Sequence, residues 1–268
     1  MAEIWKKDRL YTFLRPYVDA CTRHSYSSLS VSGSLPEGKA VIIAPNHCNT
    51  LMDALVILQS RKEHTVFGAR ADIFRHPTAA KTLRFLKILP MARERDGADV
   101  IREFMGAFDE IDSTLEAGIP FCMFPEGKHT PGREVQPLKK GLSRVAIRSA
   151  SQRPTVIVPA GLGYSHFFHY RGAAQLRYGE PVDVNAFLES HAQLSEQEIS
   201  EALLEEVRGR IQVLLTPEGP TFKKRWWILP FWPLAAILSL PLHGTAEFLC
   251  HKIRDKAFCN SIRFLVKL

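Results

Sequence analysis

Val41-Ile42-Ile43-Ala44-Pro45-Asn46-His47-Cys48-Asn49-Thr50-Leu51-Met52-Asp53 reads as a short buried strand, a turn and the start of a helix. Four consecutive apolar residues suit a strand covered on both faces, and Pro45 with Asn46 ends it. Asn49 or Thr50 is placed to N-cap a helix running from about Leu51 to Ser60. The spacing within this stretch constrains its geometry. Six residues of continuous helix turn through ~600°, which would set the His47 and Asp53 side chains ~120° apart and out of contact. The two meet only if His47 lies in the loop and Asp53 in the first helical turn.

A histidine and a carboxylate in that relation form a general-base pair. Histidine is the side chain whose ordinary pKa suits removal of a hydroxyl proton near neutrality. The carboxylate fixes the tautomer of the ring and stabilises the imidazolium. The alternative is a surface histidine beside a helix whose early Asp favours the helix dipole. The Ser and Cys residues lack the setting of a covalent nucleophile. No Gly-x-Ser-x-Gly elbow exists, because Gly163-Tyr164-Ser165-His166-Phe167 lacks the closing glycine. Direct transfer to an acceptor hydroxyl is therefore the first reading of this pair.

Outward from this stretch, short apolar runs alternate with longer helical patterns between Ala40 and about Glu180. Strands are expected at 41–44, 65–69, 120–124, 155–160 and 174–179, and helices at 51–60, 77–87, 98–116 and 139–151. This alternation implies an α/β fold, a mixed, mostly parallel sheet flanked by helices. An alternating strand from Tyr26 to Val31 precedes it. Val182 to Leu215 reads as helical and polar, and Ser195 with Glu198 forms a capping-box pattern. Residues 1–24 resemble an amphipathic helix with Trp5, Leu10, Phe13, Leu14, Tyr17 and Val18 roughly on one side. The expected organisation is that helix, a central domain over 25–220, and a tail over 221–268.

At 268 residues the chain is long enough for one large domain and an appendage. Its five scattered cysteines show no Cys-x-x-Cys or Cys/His metal pattern, which suits free thiols in a reducing compartment and no metal or cofactor. The N-terminus has no apolar signal-peptide core. The formal charge of +7 is concentrated in the tail, where Thr221 to Leu268 holds eight Lys and Arg against two acids. These cations flank aliphatic and aromatic runs, which suits an anionic membrane surface rather than nucleic acid. Trp226 to Leu242 is nearly all apolar yet short of the ~20 residues that a spanning helix needs, and Pro230, Pro233 and Pro241 interrupt it. A membrane-associated helical segment, interfacial or re-entrant, is expected there, with a buried hydrophobic hairpin as the alternative. The chain stops at Phe264-Leu265-Val266-Lys267-Leu268 without a polar end, which leaves room for a further apolar segment.

Three more blocks carry chemistry. Arg93-Glu94-Arg95-Asp96-Gly97 offers a planar guanidinium fork to a phosphate, with Gly97 allowing close backbone approach; taken alone it reads first as a charged loop. Phe121 to Gly127 is a buried strand ending in Phe124-Pro125-Glu126-Gly127. This puts Glu126 at a carboxyl end, where α/β sheets bind ligands, and where a carboxylate can hold an acceptor hydroxyl. Lys139 stands near the start of the next helix, where the dipole favours an anion, or is simply solvated. Val156-Ile157-Val158-Pro159-Ala160-Gly161 is an apolar strand that suits either an acyl groove or plain core.

Together these blocks, in order from Asn46 to Gly161, resemble the glycerophospholipid acyltransferase family, the PlsC-like 1-acylglycerol-3-phosphate and glycerol-3-phosphate acyltransferases. The resemblance covers less than half of the chain. It implies acyl transfer from acyl-CoA or acyl-carrier protein to a hydroxyl of glycerol-3-phosphate or 1-acylglycerol-3-phosphate, at the cytoplasmic face of a membrane, in peripheral or monotopic attachment. His47 would be the base and Asp53 its orienter. Arg93 and Gly97 look like the family's phosphate-binding block, and Glu126 and Gly127 like its acceptor-binding block. The commonest family spacing has four residues between His and Asp, whereas this chain has five. That resembles the His-x-Asn-x-x-x-Asp branch, which includes glycerol-3-phosphate and dihydroxyacetone phosphate acyltransferases, and Asn49 fits its pattern. Action on another lysolipid head group, lipid hydrolysis, and non-catalytic lipid binding are the alternatives.

Overall fold

A computed structural model describes residues 3–6, 8–91, 106–167, 171–216, 220, 232–253 and 258–268. Eight strands form one sheet among these residues: β1 (Ser28–Ser32), β2 (Ala40–Pro45), β3 (Val66–Arg70), β4 (Ile88–Met91), β5 (Phe121–Met123), β6 (Thr155–Tyr164), β7 (Ala173–Tyr178) and β8 (Val182–Asp183). Their order is β1-β7-β6-β2-β5-β3-β4, and β8 pairs with β6. The run from β6 through β2, β5 and β3 to β4 is parallel, whereas β7 and β8 lie antiparallel to β6. The sheet is thus mixed and mostly parallel.

The period of two along a strand divides the core. Ile42 and Ala44 of β2 face one side with Val66, Phe121 and Ile157. There they pack on α4 (Gly106–Glu116), α5 (Gly141–Ala150) and α7 (Glu196–Leu214), through Ile111, Leu142 and Val207 among others. Val41 and Ile43 face the other side with Phe67, Cys122 and Val158, against Val56 and Ile57 of α2 (Leu51–Gln59). All six residues of β2 are buried. Burial on both faces explains why its sequence is a continuous apolar run rather than an alternation.

Several local expectations change. The helix after Pro77 is α3 (Pro77–Phe85); it stops short of Lys87, which takes φ 63° and turns the chain into β4. Val182 to Leu215 is not one helical stretch. It begins in β8 and then forms α6 (Val184–Ser190) and α7, the latter opened by the Ser195–Glu198 capping box. The two-residue β8 is too short to carry a period. Residues 98–105, at the start of the helix expected over 98–116, lie outside the described residues.

The expected N-terminal helix is α1 (Arg9–His24), capped by Asp8. Its apolar stripe does not turn wholly inward. Leu10, Phe13, Leu14 and Tyr17 are exposed, whereas Arg15 and Thr22 are buried and Val18 and Cys21 pack inward; Trp5 precedes the helix and packs against the core. The Arg15 guanidinium donates to the carbonyls of Leu58 and Arg61 at the end of α2 and to Asp19. The guanidinium thus ties α1 to the carboxyl end of α2 and the turn that follows it.

In the tail, the chain forms α8 (Trp232–His251) and α9 (Cys259–Lys267). Of the expected interfacial run, residues 226–231 lie outside the described residues, and residues 232–242 belong to α8. Among the described residues no helix is long and apolar enough to cross a membrane. Phe264 of α9 is 3% exposed and packs with Met52 and Leu55 of α2 and with Val18 and Cys21 of α1.

Candidate active site

Two loops meet at the carboxyl ends of adjacent parallel strands. β2 pairs with β5 through Ile42–Phe121 and Ile43–Cys122, so the chain leaving Pro45 and the chain leaving Met123 emerge side by side. His47 lies in the first loop and Glu126 in the second. This is the position at which open α/β sheets bind ligands.

Asp53 organises the first loop. It is fully buried in the first turn of α2, and its Oδ2 is 2.8 Å from His47 Nδ1. The same oxygen accepts the backbone N–H groups of Cys48 at 2.9 Å and Asn49 at 2.7 Å. Its Oδ1 accepts the Tyr164 hydroxyl at 2.7 Å. A buried carboxylate is tolerated when such donors replace its hydration. The helix start is therefore not capped by an Asn49 or Thr50 side chain. Thr50 occupies the cap position without a side-chain cap bond, and Asp53 reaches back to the two preceding amides instead. Thr50 holds φ 49° and ψ −125°, a backbone region that costs a residue other than glycine ~1–3 kcal/mol.

His47 is partly accessible, its side chain 18% exposed. Its ring stacks on Phe124 at 4.1 Å between centroids and 26° between planes, and meets His129 edge-on at 5.9 Å. With Nδ1 committed to Asp53, Nε2 is the ring nitrogen left to face a substrate. Cys48, next in sequence, is 1% exposed, and burial followed by the nearby Asp53 charge pushes its pKa well up. It is held as a thiol, which removes it as a nucleophile.

Glu126 is 3% exposed, and its Oε1 accepts the backbone N–H of His47 at 3.0 Å. Burial raises its pKa to about 7, against the opposing pull of the His47 amide. A second bond ties the loops, from the Thr130 N–H to the His47 carbonyl at 2.9 Å. Gly127 takes φ +71°, the region that favours glycine, and a Cβ there would come within 3.3 Å of Lys139 Cγ. Lys139 is exposed beside this turn, its backbone N–H bonded to the Pro125 carbonyl at 2.8 Å. The structure thus brings His47, Asn49, Asp53, Glu126, Gly127 and Lys139 together. Arg93 and Gly97 lie outside the described residues.

Two participants have no role assigned from the sequence. Tyr164 is 111 residues from Asp53 and ends β6. Asn46 is buried and bridges to β6, with Oδ1 accepting from Leu162 N at 2.7 Å and Nδ2 donating to Leu162 O at 3.0 Å. The weak clue to Asn46 is its type, a polar amide directly after a strand buried on both faces, which must find partners. Among the described residues no group of His, Cys, Asp and Glu is arranged to hold a metal ion.

The α/β sheet thus aims a histidine–carboxylate pair and a second buried carboxylate from neighbouring strand ends, an arrangement in which the imidazole can accept a proton. The comparisons specify it further: the Acyltransferase family matches residues 28–163, about half of the chain, and the protein belongs to that family. A stretch of 120 residues (43% of this chain) is 25% identical to an uncharacterized acyltransferase of Schizosaccharomyces pombe. A stretch of 90 residues (32% of this chain) is 33% identical to glycerol-3-phosphate O-acyltransferase 2 of Saccharomyces cerevisiae. These stretches are 18% and 12% of the two yeast proteins, so the matches span less than a fifth of either. The crystal structure of the 1-acyl-sn-glycerophosphate acyltransferase PlsC from Thermotoga maritima shares the fold. Its TM-score is 0.53 at 21% identity, covering 79% of this chain and 85% of that one.

Proposed function

We propose that this acyltransferase moves a fatty acyl chain from acyl-CoA or acyl-carrier protein to a hydroxyl of glycerol-3-phosphate or 1-acylglycerol-3-phosphate at a membrane surface. The observation that carries this reading is the 2.8 Å contact between His47 Nδ1 and Asp53 Oδ2 at the strand ends. Nε2 of His47 takes the proton of the acceptor hydroxyl as its oxygen attacks the thioester carbonyl carbon. The new ester C–O bond forms, the C–S bond breaks, and the leaving thiolate takes the proton back from the imidazolium. Asp53 holds the ring in the tautomer that exposes Nε2 as an acceptor. Glu126 fixes the height of His47 through its backbone, and Arg93 with Lys139 is assigned to the acceptor phosphate. The phosphorylated acceptor is supported by the glycerol-3-phosphate relative and by the guanidinium groups of the 93–97 block, which carries two arginines and two acids.

The test uses purified protein and labelled acyl-CoA with glycerol-3-phosphate, 1-acylglycerol-3-phosphate or water as acceptor. Ester product with either phosphorylated acceptor is expected. Label released only to water would make the protein a thioesterase and overturn the reading.

A further inference from the structure

The helix at the far end of the described chain reaches the catalytic loop with polar groups rather than apolar ones. Ser261 of α9 is 4% exposed, and its Oγ lies 2.7 Å from Thr50 Oγ1, which is itself buried. The neighbouring Asn260 donates from Nδ2 to Asn49 Oδ1 at 3.3 Å and to the Phe167 carbonyl. Its own Oδ1 accepts from Arg263, which is anchored on Glu247 of α8 at 2.7 Å. Just before α9, Phe258 meets His129 edge-on at 5.2 Å, and His129 meets His47 in the same way.

These contacts fall on the two residues whose conformation decides whether Asp53 is fully bonded. The Asn49 N–H reaches Asp53 Oδ2 back across Thr50, which holds a positive φ between the two residues. A threonine left alone would relax from that region, because its Cβ clashes with the backbone there. Relaxation would turn the Asn49 amide away and loosen the carboxylate that orients His47. Docking of α9 does not need the polar pairs, since Phe264 already fills the apolar site formed by Met52 and Leu55. Buried hydrogen bonds add little net stability but fix direction. Neither hydroxyl caps α9, whose N-cap residue makes no side-chain cap bond.

We propose that Asn260 and Ser261 are positioning residues for the His47–Asp53 pair, holding Asn49 and Thr50 in the strained conformation that completes the bonding of Asp53. The proposal rests on the acyl-transfer reading of that pair. It makes α9 part of the catalytic unit, although the family match ends at residue 163.

The experiment measures kcat, KM for donor and acceptor, and thermal melting for full-length Asn260→Asp, Ser261→Ala and the double variant, with His47→Ala as reference. Asp at 260 keeps the shape but sets an acceptor against two acceptors. A fall in kcat of ~10- to 100-fold in the double variant is expected, with both KM values within about twofold, as for a base displaced by a fraction of an ångström. A second measurement covers the case in which the double variant does not fold. Glycine accepts the backbone of position 50 without strain, so Ser261→Ala should cost no further activity once Thr50→Gly is in place. Wild-type kcat in the Asn260 and Ser261 variants beside an inactive His47→Ala would overturn the positioning role alone, as would additive effects of Thr50→Gly and Ser261→Ala. Full activity in His47→Ala would overturn this role and the acyl-transfer reading together.

Discussion

Glu126 Oε1 accepts the backbone N–H of His47 at 3.0 Å, so a carboxylate at the end of β5 sets the position of the histidine at the end of β2. The loops that the sequence separates by 79 positions are held as one unit. The Glu126 side chain is nearly inaccessible, and burial lifts its pKa from 4.5 to about 7. The folded state therefore binds a proton here that the unfolded chain releases at lower pH. Stability from the neutral acid is complete below about 4.5 and is lost as pH rises through about 7.

Glu126→Gln should relieve that loss while keeping an oxygen for the His47 amide. Its melting temperature is expected to match the wild type near pH 5 and to exceed it at pH 8. The difference corresponds to a gain on the order of 3 kcal/mol if the whole shift is realised. Thermal melts at the two pH values check this. Equal melting at pH 8 would show that Glu126 is not penalised by burial.

His47→Ala should lower acyl transfer by ~10²–10⁴-fold without loss of fold. Asp53→Asn should be comparably harmful. The amide that replaces one carboxylate oxygen would face donors from His47, Cys48, Asn49 or Tyr164, and the ring would lose its fixed tautomer. Steady-state rates on protein shown to be folded by circular dichroism decide the matter.

Tyr164→Phe separates support of Asp53 from the chemistry. The ring keeps its place in the core, and only the hydroxyl at 2.7 Å from Asp53 Oδ1 is lost. Removing a bond to a charged, buried group should cost about 2 kcal/mol of stability. The loss of transfer rate should be smaller than for His47→Ala, because Oδ2 keeps its three donors. Urea unfolding and rate measurements on one preparation read both. Unchanged stability would mean that Asp53 finds another donor on this side.

Arg93→Ala is expected to raise the KM for a phosphorylated acceptor, with kcat less affected, because a charge-assisted phosphate contact is lost. Comparing phosphorylated with unphosphorylated acceptors is the informative measurement. An equal effect on both would remove Arg93 from the phosphate site.

The legible parts of this protein are those whose cause is local. The continuous apolar run of β2, the break at Pro45, and the turn arithmetic that forbids His47 and Asp53 from sharing one helix led to the strand-loop-helix and its contact. Glu126 was placed correctly at a strand end, yet its bond to the His47 backbone was not foreseen, because the pairing of β2 with β5 is a tertiary choice. Tyr164 and Asn46 escaped for the same reason, since their partners lie across the sheet. Thr50 stands at the cap position of α2 that the sequence indicates, but its side chain makes no cap bond, because Asp53 inside the helix reaches back to the preceding amides. The stripe of α1 was read correctly as a stripe, but periodicity cannot say whether such a face meets protein or solvent.

That stripe leads to the last prediction. Leu10, Phe13, Leu14 and Tyr17 recur at helical spacing on α1 and are exposed, Phe13 at 79%. Tyr17 donates its hydroxyl to the carbonyl of Leu268, so the end of α9 adjoins this face, and Leu265 and Leu268 are exposed there as well. A row of apolar side chains in water beside a basic tail suits the surface of an anionic bilayer. Phe13→Asp with Leu10→Asp should therefore reduce sedimentation with vesicles containing anionic lipid, with little change in melting temperature, since both side chains are exposed. Raised salt should loosen the wild type only in part, because the apolar contribution is not screened. Removal of the tail is a poorer test, since it would also strip Ser261 from Thr50 and confuse release from lipid with damage to the catalytic loop. Full vesicle binding by the double Asp variant would place the membrane contact elsewhere, on the basic and tryptophan-bearing segment that follows Pro220.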